Sequence, residues 1–454
     1  MKILALLLTL STMAFATDND ITHRPKSFAY KSASAVFVDF EEATYDITYD
    51  LIAKKAEVVA KMRMHVVEEG LPLFDLIQNP TFVSLDGIEV QTSAIKTPAN
   101  ETTLRVIEKS LPLGVYALEV RVPLSTLVEF TDSGVKNAFW VTDLEDRFYL
   151  ERYIPVNLEY DRMKMTFNIE FKGLKNKQHI FANGDVTWTS ANKAKVEFPE
   201  YFTVNSLYFH TTPVGSVELL ESSFQSVDGR NIPVAIYMAK GMSSASTLNT
   251  FKSDIQRIMT ELEKDYGPFR HHNITVYNAS LAHMGLGGME YAGATVTNRS
   301  ALAHELFHSY FARGVSPANG NAGWIDEALA SWRDNGYNRS GSFSGTSSMA
   351  SRPYYTRKTD TAAYSFGARF MAFLDGKFAA KGGLKPFMNK LLEKKLFTPI
   401  FTEDFIAEME EFYGEKVEHL FKAHVYKNNK NDKSQEDAHP IHKKMGLKEL
   451  QQIL

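Results

Sequence analysis

The stretch AHELFHSYFARGVSPANGNAGWIDEALASW, residues 303–332, determines the fold and the chemistry expected of this chain. Residues four apart share one face of a helix, so His304 and His308 direct both imidazoles to one point, with Glu305 beside them. This spacing is typical of a zinc site, which needs a third protein ligand. Eighteen residues separate His308 from Glu327, and the string WIDEALASW predicts a second helix with Glu327 near its start. A glycine-rich turn would let that helix fold back, so we predict one Zn²⁺ held by two histidines and Glu327.

Glu305 is adjacent in sequence to a predicted ligand, which makes it a poor fourth ligand but places it within reach of water at the metal. Zinc lowers the pKa of such a water, and a carboxylate can take its proton as the water attacks a carbonyl. The pattern therefore predicts metal-assisted hydrolysis of an amide with Glu305 as general base. The resulting oxyanion needs a donor. Tyr364, on a later predicted helix, is the candidate, with Tyr337, Tyr354 and Tyr355 as alternatives.

A glycine-rich segment, GLGGMEYAGATVT at residues 285–297, precedes the first of these helices. Gly287 and Gly288 would let a ligand approach the backbone, and the residues that follow predict an edge strand able to pair with a peptide. Glu290 is interpreted as the group that binds the amino terminus of a peptide. The alternative is a solvated strand residue.

Composition excludes several classes of protein. The 454 residues carry a formal charge of −4 with a pI near 6.4, which argues against nucleic acid and anionic membranes as main partners.

The first 16 residues have a basic start, a short apolar run and an Ala-x-Ala ending, and they predict a signal peptide cut near Ala16. No later apolar run is long enough to span a bilayer. The signal peptide predicts an exported protein, periplasmic or secreted. With no cysteine, neither a disulfide nor a lipid-anchor site is expected.

The spacing of hydrophobic residues along the chain changes once, from a strand-like to a helical pattern. Short β-rich runs separated by turn signals predict an all-β domain over residues 17–240. Helical spacing then begins, with Leu248, Phe251 and Ile255 on one face, and an α+β domain is predicted over residues 241–426 with a helical C-terminal part. Residues 427–454 are read as a polar tail.

These residues resemble the M1 family of zinc aminopeptidases, the gluzincins that include aminopeptidase N and leukotriene A4 hydrolase. The family's HExxH, eighteen residues and Glu are matched by the three predicted ligands and Glu305. Its Gly-x-Met-Glu-Asn signature resembles residues 287–291, and its Tyr-x-Lys-Gly resembles residues 364–367, which implies that Tyr364 stabilises the oxyanion. The resemblance implies a saddle-like N-terminal β domain, a thermolysin-like zinc peptidase domain and peptide substrates with a free N-terminus. A short form without the family's large C-terminal helical domain is expected.

Several positions depart from the family pattern. Tyr291 replaces the signature Asn, Phe366 replaces the Lys, and Ala328 replaces the Gly that follows the ligand glutamate. A second acidic residue for the amine would fall near Glu145, where the match is loose. These departures bear on substrate preference more than on zinc. Two alternatives stay open: a zinc endopeptidase or M61-type glycyl aminopeptidase, and a catalytically silent M1-like binding protein.

Overall fold

The computed structural model describes residues 23–96, 103–141, 150–156, 158, 161–242, 245–279, 287–318, 320–351, 359–426, 451 and 454. The predicted signal peptide, most of the predicted polar tail, Glu145, Tyr354 and Tyr355 lie outside these residues.

The first part of the chain is built from β-strands. They are β1 Phe28–Tyr30, β2 Ala33–Val36, β3 Asp39–Asp50, β4 Lys55–Val66, β5 Leu71–Asp75, β6 Phe82–Leu85, β7 Ile88–Glu89, β8 Thr92–Lys96, β9 Thr103–Ile107, β10 Gly114–Pro123, β11 Val128–Thr131, β12 Gly134–Phe139, β13 Lys164–Lys172, β14 Gln178–Ala182, β15 Asp185–Ser190, β16 Lys193–Glu197 and β17 Phe209–Pro213. Single 3-10 turns lie at Leu150–Arg152 and Val204–Ser206.

These strands form three sheets. The largest has eight strands in the order β15-β16-β13-β3-β4-β10-β6-β7, flanked by a five-stranded sheet β1-β2-β5-β9-β8 and a four-stranded sheet β11-β12-β17-β14. Strand β4 shows why the sequence folds this way. Its buried residues alternate with exposed or half-buried ones, so that one face enters the core and the other meets water. The all-β fold class predicted for the first part of the chain is confirmed.

The second part combines one sheet with helices. Its strands are β18 Val217–Gln225, β19 Asn231–Ala239, β20 Ile274–Asn278, β21 Gly288–Tyr291, β22 Ala294–Thr297, β23 Val315–Pro317 and β24 Thr398–Ile400. Its helices are α1 Ala245–Tyr266, α2 Leu302–His308, α3 Ile325–Asp334, α4 Ala368–Lys377, α5 Lys385–Lys395, α6 Thr402–Tyr413 and α7 Glu418–His424. A π-helical turn, Ala363–Gly367, leads into α4, and a 3-10 turn lies at Ala379–Lys381. This α+β arrangement with a helical end agrees with the predicted fold class.

The sheet of the second domain has the order β18-β19-β20-β22-β21. Strands β19, β20 and β22 are parallel neighbours, while β18 and β21 are antiparallel edge strands. The sequence analysis assigned β18 and β19 to the first domain, with a boundary at residue 240. Because β19 pairs with β20, sheet pairing puts the boundary between β17 and β18 instead. The hydrophobic periodicity changes at the first helix of the second domain, but the domain itself begins earlier, with strand β18.

This sheet is also the wall between the two domains. Tyr237, Tyr277 and Tyr291 on one face are buried in the core of the β domain. Ile236 and Val276 on the other face are buried against the helices. Both faces of the sheet are therefore covered, as parallel strands require. Within the described residues, no helix combines the length and apolarity needed to cross a membrane.

Candidate metal centre

Helix α2 carries the two histidines. Asn298 Oδ1 accepts the backbone N–H of Ala301 at 3.1 Å, just before the helix begins. The helix ends at His308. Beyond that point the Arg313 N–H donates to the His308 carbonyl at 2.9 Å, and Ala312 adopts a φ of 156°, which no regular helix contains. The chain therefore turns away directly after the second histidine.

Helix α3 folds back on α2 and brings Glu327 to the same point. Glu327 Oε2 lies 3.0 Å from His304 Nε2 and 3.6 Å from His308 Nε2. One ligand atom from each of the three residues lies within 4.8 Å of the other two. His308 Nε2 is buried and has no hydrogen-bond partner among the described residues. Two nitrogens and one carboxylate oxygen converging in this way fit a zinc ion.

The Nδ1 atoms of both histidines face hydrogen-bond acceptors. His304 Nδ1 donates to Asp334 Oδ2 at 2.6 Å, and His308 Nδ1 donates to the Phe311 carbonyl at 3.2 Å. A hydrogen bond at Nδ1 leaves the lone pair on Nε2, the atom that points to the shared centre. Asp334 was missed by the sequence analysis. The sequence could have indicated Asp334, because it lies seven residues after Glu327 and therefore two turns along the same face of α3.

Charge is concentrated at this centre. Burial lowers the pKa of His308, but the Glu327 carboxylate outweighs that effect and raises it to about 9. Burial also opposes protonation of His304, yet Asp334 and Glu327 raise its pKa well above the ordinary value. Burial favours the neutral form of Glu327, but the two histidines hold its pKa well below the usual range. The carboxylates of Glu327 and Asp334 therefore favour positive charge at this centre.

Glu305 projects from α2 toward the edge strand β21. Burial raises its pKa to about 8. A Cβ added at Gly288 would lie 2.4 Å from the Glu305 side chain, and one added at Gly287 would lie 2.7 Å from the Ala301 Cβ. The sequence analysis assigned both glycines to ligand approach. In the structure they let β21 pack directly on α2, so the space beside each is filled by the protein itself.

The two faces of β21 have different surroundings. Met289 and Tyr291 are buried on the face toward the β domain, whereas Gly288 and Glu290 lie on the other face and are only half buried. The Tyr291 hydroxyl accepts the backbone N–H of Val141 at 3.1 Å. Tyr291, which replaces the signature Asn, is therefore part of the contact between the domains.

Glu290 is paired with an arginine that the sequence analysis did not single out. Arg313 Nη2 donates to Glu290 Oε1 at 2.8 Å and to the Glu290 carbonyl at 3.1 Å. The Arg313 side chain is 4% exposed and that of Glu290 14%. Nothing in the local sequence indicated this contact, because the two residues meet only when β21 lies against the segment that follows α2.

Tyr364 lies in the π-helical turn that precedes α4. Its ring is nearly parallel to that of His304, with 6.4 Å between the centroids. A Cβ added at Gly367 would lie 2.7 Å from the Ala328 Cβ, so Gly367 lets the turn pack on α3 beside Glu327. Phe366 is buried against Phe343 and cannot take the role of a cleft lysine. π-Helical turns are common at functional sites.

Of the competing tyrosines, Tyr337 is the one within the described residues. Its hydroxyl accepts a hydrogen bond from Tyr266 at 2.9 Å, and Lys385 Nζ lies 3.8 Å from its ring centroid. Tyr337 therefore holds α1, α3 and α5 together. Tyr364 is the candidate that lies beside a predicted ligand.

No protein-family model and no curated protein sequence matches the chain. Several solved structures, however, are similar to it. An M1 zinc metallopeptidase from Deinococcus radiodurans is similar over 83% of this chain and 91% of its own, with a TM-score of 0.60 and 16% identity. A mutant of that enzyme bound to a Tyr-Ser-Ala substrate is similar over 86% and 95%, with a TM-score of 0.62 and 15% identity. Native yeast leukotriene A4 hydrolase is similar over 85% and 66%, with a TM-score of 0.61 and 14% identity.

The chain has the fold of the M1 zinc metallopeptidases, in a two-domain form. The fold implied by the sequence resemblance is confirmed over most of the chain.

Proposed function

We propose that this chain is a zinc-dependent peptidase of the M1 type that removes the N-terminal residue from peptides. The observation that carries the proposal is the convergence of His304, His308 and Glu327, whose ligand atoms lie within 4.8 Å of one another on this fold. When bound there, zinc would supply Lewis acidity that activates water and polarises a carbonyl. Proton transfer, stabilisation of the oxyanion and binding of the substrate are assigned to side chains of this protein.

Glu305 is proposed as the general base that takes a proton from the attacking water and later gives it to the leaving amine. It is buried between α2 and β21, next in sequence to the ligand His304, and burial raises its pKa, which favours uptake of a proton. Positioned proton transfer of this kind contributes roughly 10²–10⁴-fold to a rate.

Tyr364 is proposed to donate a hydrogen bond to the oxyanion that forms as the carbonyl is attacked. Its place beside His304, on a turn packed against the helix of Glu327, supports this role. An oxyanion donor that is present before reaction stabilises the transition state without reorganisation. We expect Tyr364→Phe to lower kcat by about 10²–10³-fold.

Glu290 is proposed to hold the amino terminus of the peptide, while β21, an edge strand of its sheet, offers backbone groups to the chain. One observation favours the second candidate, a zinc endopeptidase or M61-type enzyme. Glu290 is already paired with Arg313, so its charge is partly compensated before any substrate arrives.

Glu305→Gln tests the reaction and separates an enzyme from a silent binding protein. We expect zinc content to stay at the wild-type level and hydrolysis of aminoacyl reporter substrates to fall at least about 100-fold, because the base is lost and the ligands are kept. Glu393→Gln, a change in an exposed ion pair on α5, is the matched control. Wild-type turnover in Glu305→Gln would remove Glu305 from its role. A wild-type protein that binds zinc but hydrolyses no member of a broad substrate panel would favour the silent protein.

Export to the periplasm or beyond is part of the proposal and rests on the first 16 residues alone. N-terminal sequencing of the protein from fractionated cells tests it. A chain that begins near residue 17 outside the cytoplasm supports export, and an intact Met1 in the cytoplasm refutes it.

A further inference from the structure

The ion pair between Glu290 and Arg313 lies where a peptide's amino end is expected. Glu290 is on the face of β21 that meets α2, two residues from the glycine packed on Glu305. Arg313 comes from the turn that ends α2, and its backbone N–H is bonded to the carbonyl of the ligand His308. Arg313 is thus tied to a metal ligand, and Glu290 lies on the strand that packs on the helix of both histidines.

The pair changes what Glu290 presents to a substrate. A lone buried carboxylate would attract an ammonium group strongly and would disfavour a neutral group that leaves its charge unpaired. With a guanidinium at 2.8 Å, the carboxylate already has a counter-charge. An ammonium placed on Glu290 would meet a pair with little net charge and would also be repelled by Arg313. The attraction for a charged amino terminus is reduced, while neutral groups are tolerated.

We propose that Arg313 is a specificity-determining residue that neutralises Glu290 and so extends the substrates to peptides with an uncharged amino end, meaning N-acylated peptides and internal peptide bonds. This inference rests on the proposed peptidase function and deepens it. Glu290 lies in the segment that resembles the exopeptidase signature. Because Arg313 compensates its charge, Glu290 does not restrict cleavage to the N-terminal residue.

The test compares kcat/KM for a peptide with a free amino terminus and for its N-acetylated form. The ratio of the two is unaffected by the fraction of protein that is folded. In the wild type we expect the free form to be preferred by no more than about tenfold. Arg313→Gln exposes the Glu290 charge and should raise the preference at least tenfold above the wild-type value.

Three further variants guard against a loss of folding as the explanation. Arg313→Lys keeps a positive charge and should keep the wild-type ratio. The double variant Glu290→Gln/Arg313→Gln removes both charges and should also show no strong preference. Arg339→Gln, which breaks the Arg339–Asp375 pair elsewhere in the domain, should leave the ratio unchanged. An Arg313→Gln ratio within twofold of the wild type, or a wild type that cleaves only the free form, overturns the proposal.

Binding gives a second readout that does not depend on turnover. In the Glu305→Gln background, calorimetry with the same two peptides should show that Arg313→Gln strengthens binding of the free form relative to the acetylated one by at least tenfold. No change in this ratio refutes the inference. Absence of hydrolysis in the wild type would instead refute the proposed function, so the two failures are distinguishable.

Discussion

The Nδ1 hydrogen bonds decide, at the scale of single residues, which atom each histidine offers to a metal. Asp334 holds His304 and the Phe311 carbonyl holds His308, so both imidazoles present Nε2. A charged acceptor also makes the imidazole a more basic ligand. Asp334 is therefore as much a part of the site as the three residues that converge on its centre.

Asp334→Asn is expected to weaken zinc binding by roughly 10–100-fold, because the amide neither carries the charge nor fixes the tautomer as well. Competition with a chromophoric zinc chelator measures this. Asp228→Asn, which removes an exposed ion pair with Arg230 on the sheet of the same domain, is the control and should bind zinc normally. Equal zinc affinity in wild type and Asp334→Asn would show that the hydrogen bond has no role in metal binding.

The sequence predicted the residues whose spacing is local and missed those whose partners are distant. His304, Glu305 and His308 lie within five residues, so helix geometry alone places them together. Glu327 required only that the second predicted helix fold back on the first. Arg313 and Tyr291 could not be interpreted in the same way, because their partners, Glu290 and Val141, are brought to them by the packing of a strand and of a second domain.

At the scale of elements, close packing of backbone on backbone sets the positions of the catalytic candidates. Strand β21 packs on α2 through two glycines, and the π-helical turn packs on α3 through Gly367. The sequence signalled these glycines but not their purpose. A glycine that admits a ligand and a glycine that admits a neighbouring helix have the same local pattern.

Gly367→Ala is expected to destabilise the protein and lower kcat, because the new Cβ would lie 2.7 Å from the Ala328 Cβ and push the Tyr364 turn away. The cost of such overpacking is about 1–3 kcal/mol. Adding Ala328→Gly in the same protein removes the opposing methyl. This second change should restore most of the lost stability and most of the lost kcat. Denaturant unfolding and steady-state kinetics measure them. If Ala328→Gly gives no rescue, the contact does not position the turn.

At the scale of the whole molecule, the sheet of the second domain joins the two cores, and a buried histidine adds a polar link beside it. His271 Nε2 donates to the Ser309 carbonyl at 2.9 Å, directly after α2. The Tyr201 hydroxyl, from the β domain, lies 3.2 Å from His271 Nδ1. His271 is a buried core residue. Its link between the domains depends on the tertiary fold and has no sequence signal.

His271 is expected to make the fold sensitive to acid. Burial lowers its pKa from an ordinary value near 6.5 to about 4. Between these values the unfolded chain binds a proton that the folded protein does not, so stability falls as the pH falls through this window. At pH 4.5 the loss is roughly 2–3 kcal/mol relative to pH 7.5.

His271→Gln, which keeps a donor and an acceptor, lacks this titration. Free energies of unfolding of the metal-free proteins at pH 7.5 and pH 4.5 should therefore show a larger acid loss in the wild type than in the variant. Identical losses would mean that His271 does not titrate differently in the folded and unfolded chain.

Zinc content measured together with peptide hydrolysis tests the central claim most directly. We predict close to one zinc per wild-type chain by elemental analysis, loss of hydrolysis when a chelator removes the metal, and recovery when zinc is returned. Glu327→Gln should lose both the metal and the activity. Hydrolysis at the wild-type rate by zinc-free protein would contradict the assignment of His304, His308 and Glu327 as the metal centre of a peptidase.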